Sequence, residues 1–180
     1  MIFRFLLISD EVENFEREII IDADANFLTL NNAILKACKY TDDQITSFYI
    51  CNDNWEQEQQ IIREEMDTSS AEDDVYIMED TPLRELVNDV NDKLVFVFDP
   101  LSERLFFMKV TEVITGQNLP EPQCTKSVGK APSQIIDYDN ALKGLNLDDT
   151  QIMDEEQDFY GSDGFNEDEF DSEAFEIEDN

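Results

Sequence analysis

The apolar positions of the first 115 residues predict a series of strands. Residues 2–8 are apolar on both faces except at Arg4, which predicts a strand near the centre of a sheet, and residues 18–22 are its predicted hairpin partner. Further strands are predicted at residues 45–51, 75–78, 93–99 and 104–115. The last two form a predicted hairpin, because Asp-Pro-Leu-Ser-Glu at residues 99–103 is typical of a turn.

Helical spacing occurs twice between these strands. The first helix has Thr29 as its predicted N-cap, and its apolar face consists of Leu30, Ala33, Ile34, Ala37 and Cys38. The second begins at Thr81-Pro82, and its apolar face consists of Leu83, Leu86, Val87 and Val90. Strands and helices in this order predict an α+β fold, with a single mixed β-sheet and two helices packed on one face.

Other stretches of the chain lack a clear apolar pattern. Residues 52–74 are strongly acidic, and we interpret them as a surface excursion with a short helix around residues 56–66. From Gly116 to Pro132 the chain is predicted to be irregular, and residues 137–147 favour one or two helical turns.

Charge divides the chain into two parts. Residues 1–133 carry 27 acidic and 11 basic side chains, and residues 134–180 carry 17 acidic and one basic. Each part has a net charge of −16, so the charge density is several times higher in the second. We therefore interpret residues 1–133 as the folded α+β domain and residues 134–180 as a largely disordered acidic C-terminal tail.

The composition excludes several classes of function. A net charge of −32 argues against direct nucleic-acid binding, which needs a basic face. The chain contains no His, so nucleophile systems that need a histidine base are excluded. The five Gly are scattered and form no phosphate-binding loop, and residues 159–170 fail the pattern of a calcium loop. We expect no catalytic residues, no metal and no cofactor.

Cysteine usage and hydropathy indicate a compartment. Cys38, Cys51 and Cys124 are odd in number and widely spaced, which argues against a disulfide framework or a zinc site. No apolar run approaches the length of a membrane span, and residues 1–8 lack the features of a signal peptide. The expected location is the cytoplasm, with no membrane partner.

The C-terminal segment carries the strongest functional pattern. Thirteen acidic residues lie between Asp154 and Asp179, and aromatic side chains are interleaved among them. Such a segment stays extended while it presents hydrophobic anchors to a partner. The candidate partner-binding residues are Phe159, Tyr160, Phe165, Phe170 and Phe175, together with Trp55, which lies in a polar run and either covers the edge of the core or contacts a partner.

The order of these elements resembles the plasmid pRiA4b ORF-3-like family, an α+β fold found in many bacteria. The resemblance lies in Leu30 and Ile34 of the first helix, Phe48-Tyr49-Ile50, the Pro-Leu-Arg-Glu-Leu helix at 82–86, Val97-Phe98-Asp99, and Pro122-x-Cys124-x4-Gly129-x2-Pro132. It covers about residues 1–133.

The chain also departs from the family pattern. The family's Tyr-Asp-Phe-Gly-Asp-x-Trp-x-His stretch corresponds to residues 98–104, where only Asp99 is retained. The family histidine that follows the leucines of the first helix is replaced near Asn31 and Asn32, and the Gly-Gly after the cysteine segment is missing. The resemblance therefore implies the fold more than an activity.

Three functions remain open at this point. The first is a non-enzymatic interaction module whose acidic tail binds a basic protein partner through aromatic anchors. The second is an acidic nucleic-acid mimic that regulates a DNA-associated protein. The third is a divergent carboxylate- or metal-dependent enzyme, which requires carboxylates that converge on a pocket near Asp99.

Overall fold

The structure is a computed structural model, and it describes residues 1–64 and 75–136. The chain divides into a unit at Met1–Ile136 and a unit at Asp137–Asn180, and the described residues all belong to the first. They form eight strands: β1 (Ile2–Ile8), β2 (Glu16–Asp22), β3 (Ser47–Cys51), β4 (Gln57–Ile62), β5 (Tyr76–Ile77), β6 (Lys93–Asp99), β7 (Arg104–Ile114) and β8 (Gln123–Val128). The two helices are α1 (Phe27–Cys38) and α2 (Leu83–Leu86).

All eight strands belong to one mixed sheet, in the order β5-β4-β3-β6-β7-β1-β2-β8. The pairing of β4 with β5 is parallel, and the other pairings between these strands are antiparallel. β1 lies between β2 and β7, as the apolar run at residues 2–8 predicted. The predicted α+β fold, one mixed sheet with two helices on one face, is confirmed.

The core face of the sheet is the face that packs against α1 and α2. Alternate residues of the central strands point to it, including Phe5, Phe96 and Phe106, which are fully buried. They belong to one hydrophobic cluster with Leu30 of α1 and Leu83 of α2. No buried side-chain N or O atom in the described part of the chain lacks a hydrogen-bond partner.

Helix α1 begins earlier than the predicted N-cap at Thr29. The N-cap is Asn26, whose Oδ1 accepts hydrogen bonds from the backbone N (2.9 Å) and from Oγ1 (2.7 Å) of Thr29. The Asn26 side chain also donates to the Glu79 carbonyl at 2.7 Å, which ties the helix start to the chain before α2. Thr29 therefore supports the cap from inside the first turn.

Helix α2 is shorter than its apolar spacing predicted. Val87 already has an extended backbone, and the Val90 side chain is 46% exposed. The Asp92 carboxylate accepts hydrogen bonds from the backbone N of Asn88 and of Asp89. This carboxylate stabilises a turn at residues 88–92, which replaces the last helical turn.

Two strands lie where the sequence predicted none. The predicted helix around residues 56–66 is wrong, because β4 pairs with β3 and buries Ile61 completely in the core. The predicted irregular stretch before Pro132 contains β8, which pairs with β2 from Glu16↔Val128 onward. All six residues of β8 are exposed, so no apolar alternation marks the strand.

Arg17 secures the edge of the sheet at β8. Its side chain is buried, and its guanidinium donates to the carbonyls of Ala37 (3.1 Å), Val128 (2.6 Å) and Gly129 (3.0 Å). Gly129 has φ +66, and a Cβ atom there would lie 2.4 Å from the Asn14 carbonyl oxygen. The end of α1, the end of β8 and the turn before β2 therefore meet at a point that accepts only glycine.

Some predictions fall outside the described residues. They are the disorder of the tail, the helical turns at residues 137–147, and the positions of Phe159, Tyr160, Phe165, Phe170 and Phe175. Within residues 1–64 and 75–136, neither helix has the length and hydropathy needed to cross a membrane.

Candidate interaction surface on the open face of the sheet

The open face of the sheet is the face opposite the core face, and its centre is apolar. Because side chains alternate along a strand, Tyr49, Val95 and Phe107 point away from the buried Phe48, Phe96 and Phe106. Strand register places Tyr49 beside Val95, Val95 beside Phe107, and Phe107 beside Ile8. These four residues lie outside the core cluster: Val95 is buried between its neighbours, Tyr49 and Phe107 are half-buried, and Ile8 is 45% exposed.

The Trp55 side chain lies on this row, and its role in binding a partner stays a prediction. Its ring is 5.1 Å from the Phe107 ring, edge to face, and it is partly exposed. Trp55 has φ +67, an uncommon backbone conformation for a bulky residue. The Asn52 side chain holds the turn, because its Oδ1 accepts from the backbone N of Asn54 (2.9 Å) and of Glu56 (3.1 Å).

A groove of about 1070 Å³ lies at one end of the open face. Its apolar lining includes Ile45, Val75 and Pro100 from the connecting segments and Ile62, Val97 and Leu105 from strands β4, β6 and β7. Ile45 is 60% exposed, although it lines a concave surface. The groove is thus an apolar site that the described part of the fold leaves open.

Carboxylates surround this apolar lining. Asp42, Asp43, Glu64 and Glu103 line the groove, and Arg63 is the one basic residue among the described lining residues. The Arg63 guanidinium forms a bidentate pair with Asp42 and lowers the pKa of that carboxyl, while hydrogen bonds from Thr41 and Gln44 lower the pKa of Asp43. The groove therefore keeps a negative rim, which favours cationic ligands.

Two lysines define the other end of the open face. Lys93 and Lys109 are direct partners across the pairing of β6 with β7. Neither forms an ion pair with a carboxylate of the described residues; Lys93 donates to the Asp53 carbonyl, and its Nζ lies 5.3 Å from the centre of the Trp55 ring. We call Lys93 and Lys109 the lysine pair.

Further along the open face, toward β2 and β8, charges are matched. Arg4 donates to Glu18 (2.6 Å) and to Glu112 (2.7 Å), and Lys126 donates to Glu16 (2.6 Å). A hydrogen bond from Thr125, together with Arg4, lowers the pKa of Glu18. This matched region differs from both the negative groove and the lysine pair.

Asp99, the residue retained from the family motif, serves the turn between β6 and β7. Its Oδ1 accepts from the Ser102 backbone N at 3.3 Å, and its Oδ2 lies 3.7 Å from Arg104. Arg104 also binds Glu11 and the Ser133 carbonyl, so the carboxylates here converge on a guanidinium. Across residues 1–64 and 75–136 no group of three His, Cys, Asp or Glu side chains could hold a metal. Asp99 caps this turn and is not itself among the residues that line the groove, although its neighbours Val97, Pro100 and Glu103 are. The enzyme hypothesis therefore stays a prediction.

The three cysteines are unpaired, and the two buried thiols are not activated. Cys38 and Cys51 are buried and Cys124 is exposed. Burial raises the pKa of Cys38 to about 12 and also raises the pKa of Cys51, which opposes thiolate formation.

A sequence profile described as "Plasmid pRiA4b ORF-3-like protein" matches residues 5–179. The chain belongs to the pRiA4b ORF-3-like family. The match extends beyond the expected boundary at residue 133 and includes the acidic C-terminal segment with its aromatic residues.

The solved structures add a likeness in fold. This pRiA4b ORF-3-like chain is similar to the crystal structure of a protein of unknown function from Methanosarcina mazei Go1, with a TM-score of 0.54 and 15% sequence identity. The alignment covers 70% of this chain and 68% of that one. A search of curated proteins gives no significant match.

The sequence predicted one residue of the open face, Trp55, and missed the groove and the lysine pair. Trp55 was singled out because it interrupts a polar run. The apolar run at residues 93–99 predicts a strand covered on both faces, and residues 94–98 are indeed buried. The partial exposure of the neighbouring Phe107 and Ile8 could not be predicted from that run. Phe107, in the predicted strand at residues 104–115, lies on the open face against Trp55.

Proposed function

We propose that this family member is a non-enzymatic interaction module that binds a basic protein partner. The observation that carries the proposal is the groove, in which a carboxylate rim surrounds an apolar lining that the described residues leave open. A cationic segment with apolar side chains matches both features. The acidic segment with Phe159, Phe165 and Phe175 provides a second attachment point for the same kind of partner.

Charge supports this choice of partner class. The chain has a net charge of −32, which accelerates encounters with basic proteins and slows encounters with acidic ones. Attachment at both the groove and the C-terminal segment would raise the overall affinity through an increased effective concentration.

Capture from a bacterial lysate on the immobilised full-length chain tests this proposal. Two variants are compared with wild type: Glu103→Lys in the groove, and a five-serine variant in which Phe159, Tyr160, Phe165, Phe170 and Phe175 become Ser. Glu79→Lys is a matched charge reversal at an exposed residue outside the groove. We expect a basic protein that wild type and Glu79→Lys retain, and that each of the other two variants retains at least severalfold less.

The results separate this function from its alternatives. Equal capture by all four proteins would refute the interaction module. Capture of DNA-binding proteins that added DNA displaces, with retention that falls steeply as salt rises, would favour the nucleic-acid mimic.

A further inference from the structure

Like charges on directly opposed residues of neighbouring strands are destabilising, and the lysine pair has this arrangement. The feature stands out in a chain with 44 acidic and 12 basic residues, because the other basic residues described on the open face, Arg4, Arg63 and Lys126, contact carboxylates. Neighbouring strands lie about 4.8 Å apart, so one carboxylate placed above the sheet reaches both ammonium groups.

An aromatic surface adjoins the lysine pair. Trp55 packs on Phe107, the residue two positions before Lys109, while Leu6 lies beside Lys109 and Ile8 beside Phe107. The polar turn described above holds Trp55 in a positive-φ conformation over the sheet, away from the core. Backbone conformations of this kind cost on the order of 1 kcal/mol and cluster at ligand sites.

We propose that the lysine pair, together with Trp55 and Phe107, binds an extended acidic segment of a partner protein that carries aromatic side chains. Its carboxylates would contact Lys93 and Lys109, and an aromatic side chain would pack against Trp55 and Leu6. Small anions lack the aromatic contact. A second copy would bring its whole charge of −32, whereas an acidic segment brings less than half of that. At physiological salt, interactions beyond about 8 Å are largely screened, so the distant charges of the chain oppose a segment only weakly.

This inference is independent of the proposed function. It concerns the opposite end of the open face and a partner of opposite charge, so its failure leaves the groove and the basic partner untouched. If both hold, the open face joins two different partners, one at each end.

Trp55 provides the measurement, because it is the single tryptophan of the chain. A synthetic peptide with the sequence of residues 154–179 serves as the probe: it is acidic, carries five aromatic residues and contains no tryptophan. The peptide is added to the full-length five-serine variant, in which the five competing aromatic residues of the C-terminal segment are replaced. Its binding should shift the Trp55 emission in a saturable way. The affinity comes from the titration curve.

Variants and control peptides locate the binding. We expect Lys93→Gln combined with Lys109→Gln to weaken binding about tenfold or more, while Lys36→Gln, on the exposed side of α1, leaves it unchanged. A peptide with Asn and Gln in place of Asp and Glu should fail to bind, and so should a peptide with Ser in place of the aromatic residues.

Each remaining outcome contradicts the proposal. Absence of saturable binding to the five-serine variant overturns it, and so does unchanged affinity after loss of both lysines. If Trp55 emission in the wild-type chain already differs from that of the five-serine variant before peptide is added, the occupant belongs to the chain itself. A molecular mass that doubles with concentration and reverts in the lysine variant would identify a second copy as the occupant.

Discussion

The two faces of the sheet carry similar side chains in different environments. On the core face, the Phe106 ring lies 4.7 Å from Phe98 and 4.9 Å from Phe15, and both helices cover the cluster. On the open face, Phe107 contacts one aromatic ring among the described residues, that of Trp55. Burial of apolar surface explains the first face, because it stabilises the fold. The second face leaves part of its apolar surface exposed, at Ile8, Ile45 and Phe107, and the interactions proposed above would use that surface.

The largest effect should come from comparing two adjacent phenylalanines. Phe106→Ala removes a fully buried ring and should lower the free energy of unfolding by about 3–5 kcal/mol. Phe107→Ala removes a partly exposed ring and should lower the free energy of unfolding by about 1 kcal/mol. Urea denaturation of both variants measures the difference, and circular dichroism establishes that each still folds. Equal losses would mean that the open face is covered as completely as the core.

A pair of glycines tests the edge of the sheet. Both have positive φ, but no atom lies within 4 Å of a Cβ built at Gly116, whereas one at Gly129 would collide with the Asn14 carbonyl. Gly116→Ala should therefore lower the free energy of unfolding by about 1 kcal/mol, because the alanine must adopt a left-handed backbone. Gly129→Ala should lower it by at least about 2 kcal/mol. Thermal unfolding of the two variants is the measurement. Indistinguishable melting temperatures would show that the close approach at Arg17 and β8 contributes nothing.

The smallest effect concerns the matched charges of the open face. Glu18 has a folded-state pKa below its ordinary value, so it stabilises the fold above that ordinary value, and the contribution is lost as pH falls through the lowered pKa. Glu18→Gln should lower stability by under about 1 kcal/mol at pH 7. The gap from wild type should shrink as the solution is acidified below about pH 4. Chemical denaturation at each pH measures the difference in free energy of unfolding between wild type and variant. A difference that stays constant across this pH range would contradict the assignment.

Much of the fold could be predicted because apolar period and turn chemistry act locally. Residues 2–8 predicted a central strand, and Asp99-Pro100 predicted the turn of the β6–β7 hairpin. The failures have physical causes. β8 exposes every side chain and is held by backbone pairing with β2 and by the Arg17 guanidinium, which leave no trace in a hydrophobic pattern.

The candidate site could be predicted only at Trp55. The groove combines Ile45, Ile62 and Val97, which lie far apart in sequence and meet because β4, β3 and β6 are neighbours in the sheet. The lysine pair depends on one specific register between β6 and β7, and a shift of one residue would separate the two ammonium groups. Such juxtapositions are properties of topology, which short-range sequence patterns do not contain.

The position of β1 also determines when this fold can form. β1 begins the chain, yet one of its two neighbours is β7, with Ile2 opposite Ile114. Nascent residues 1–103 therefore contain a central strand with one edge unpaired, and the sheet closes only after β7 leaves the ribosome. Contacts this distant in sequence favour slow folding, in milliseconds to seconds, and leave an apolar strand edge open to wrong pairing in the meantime.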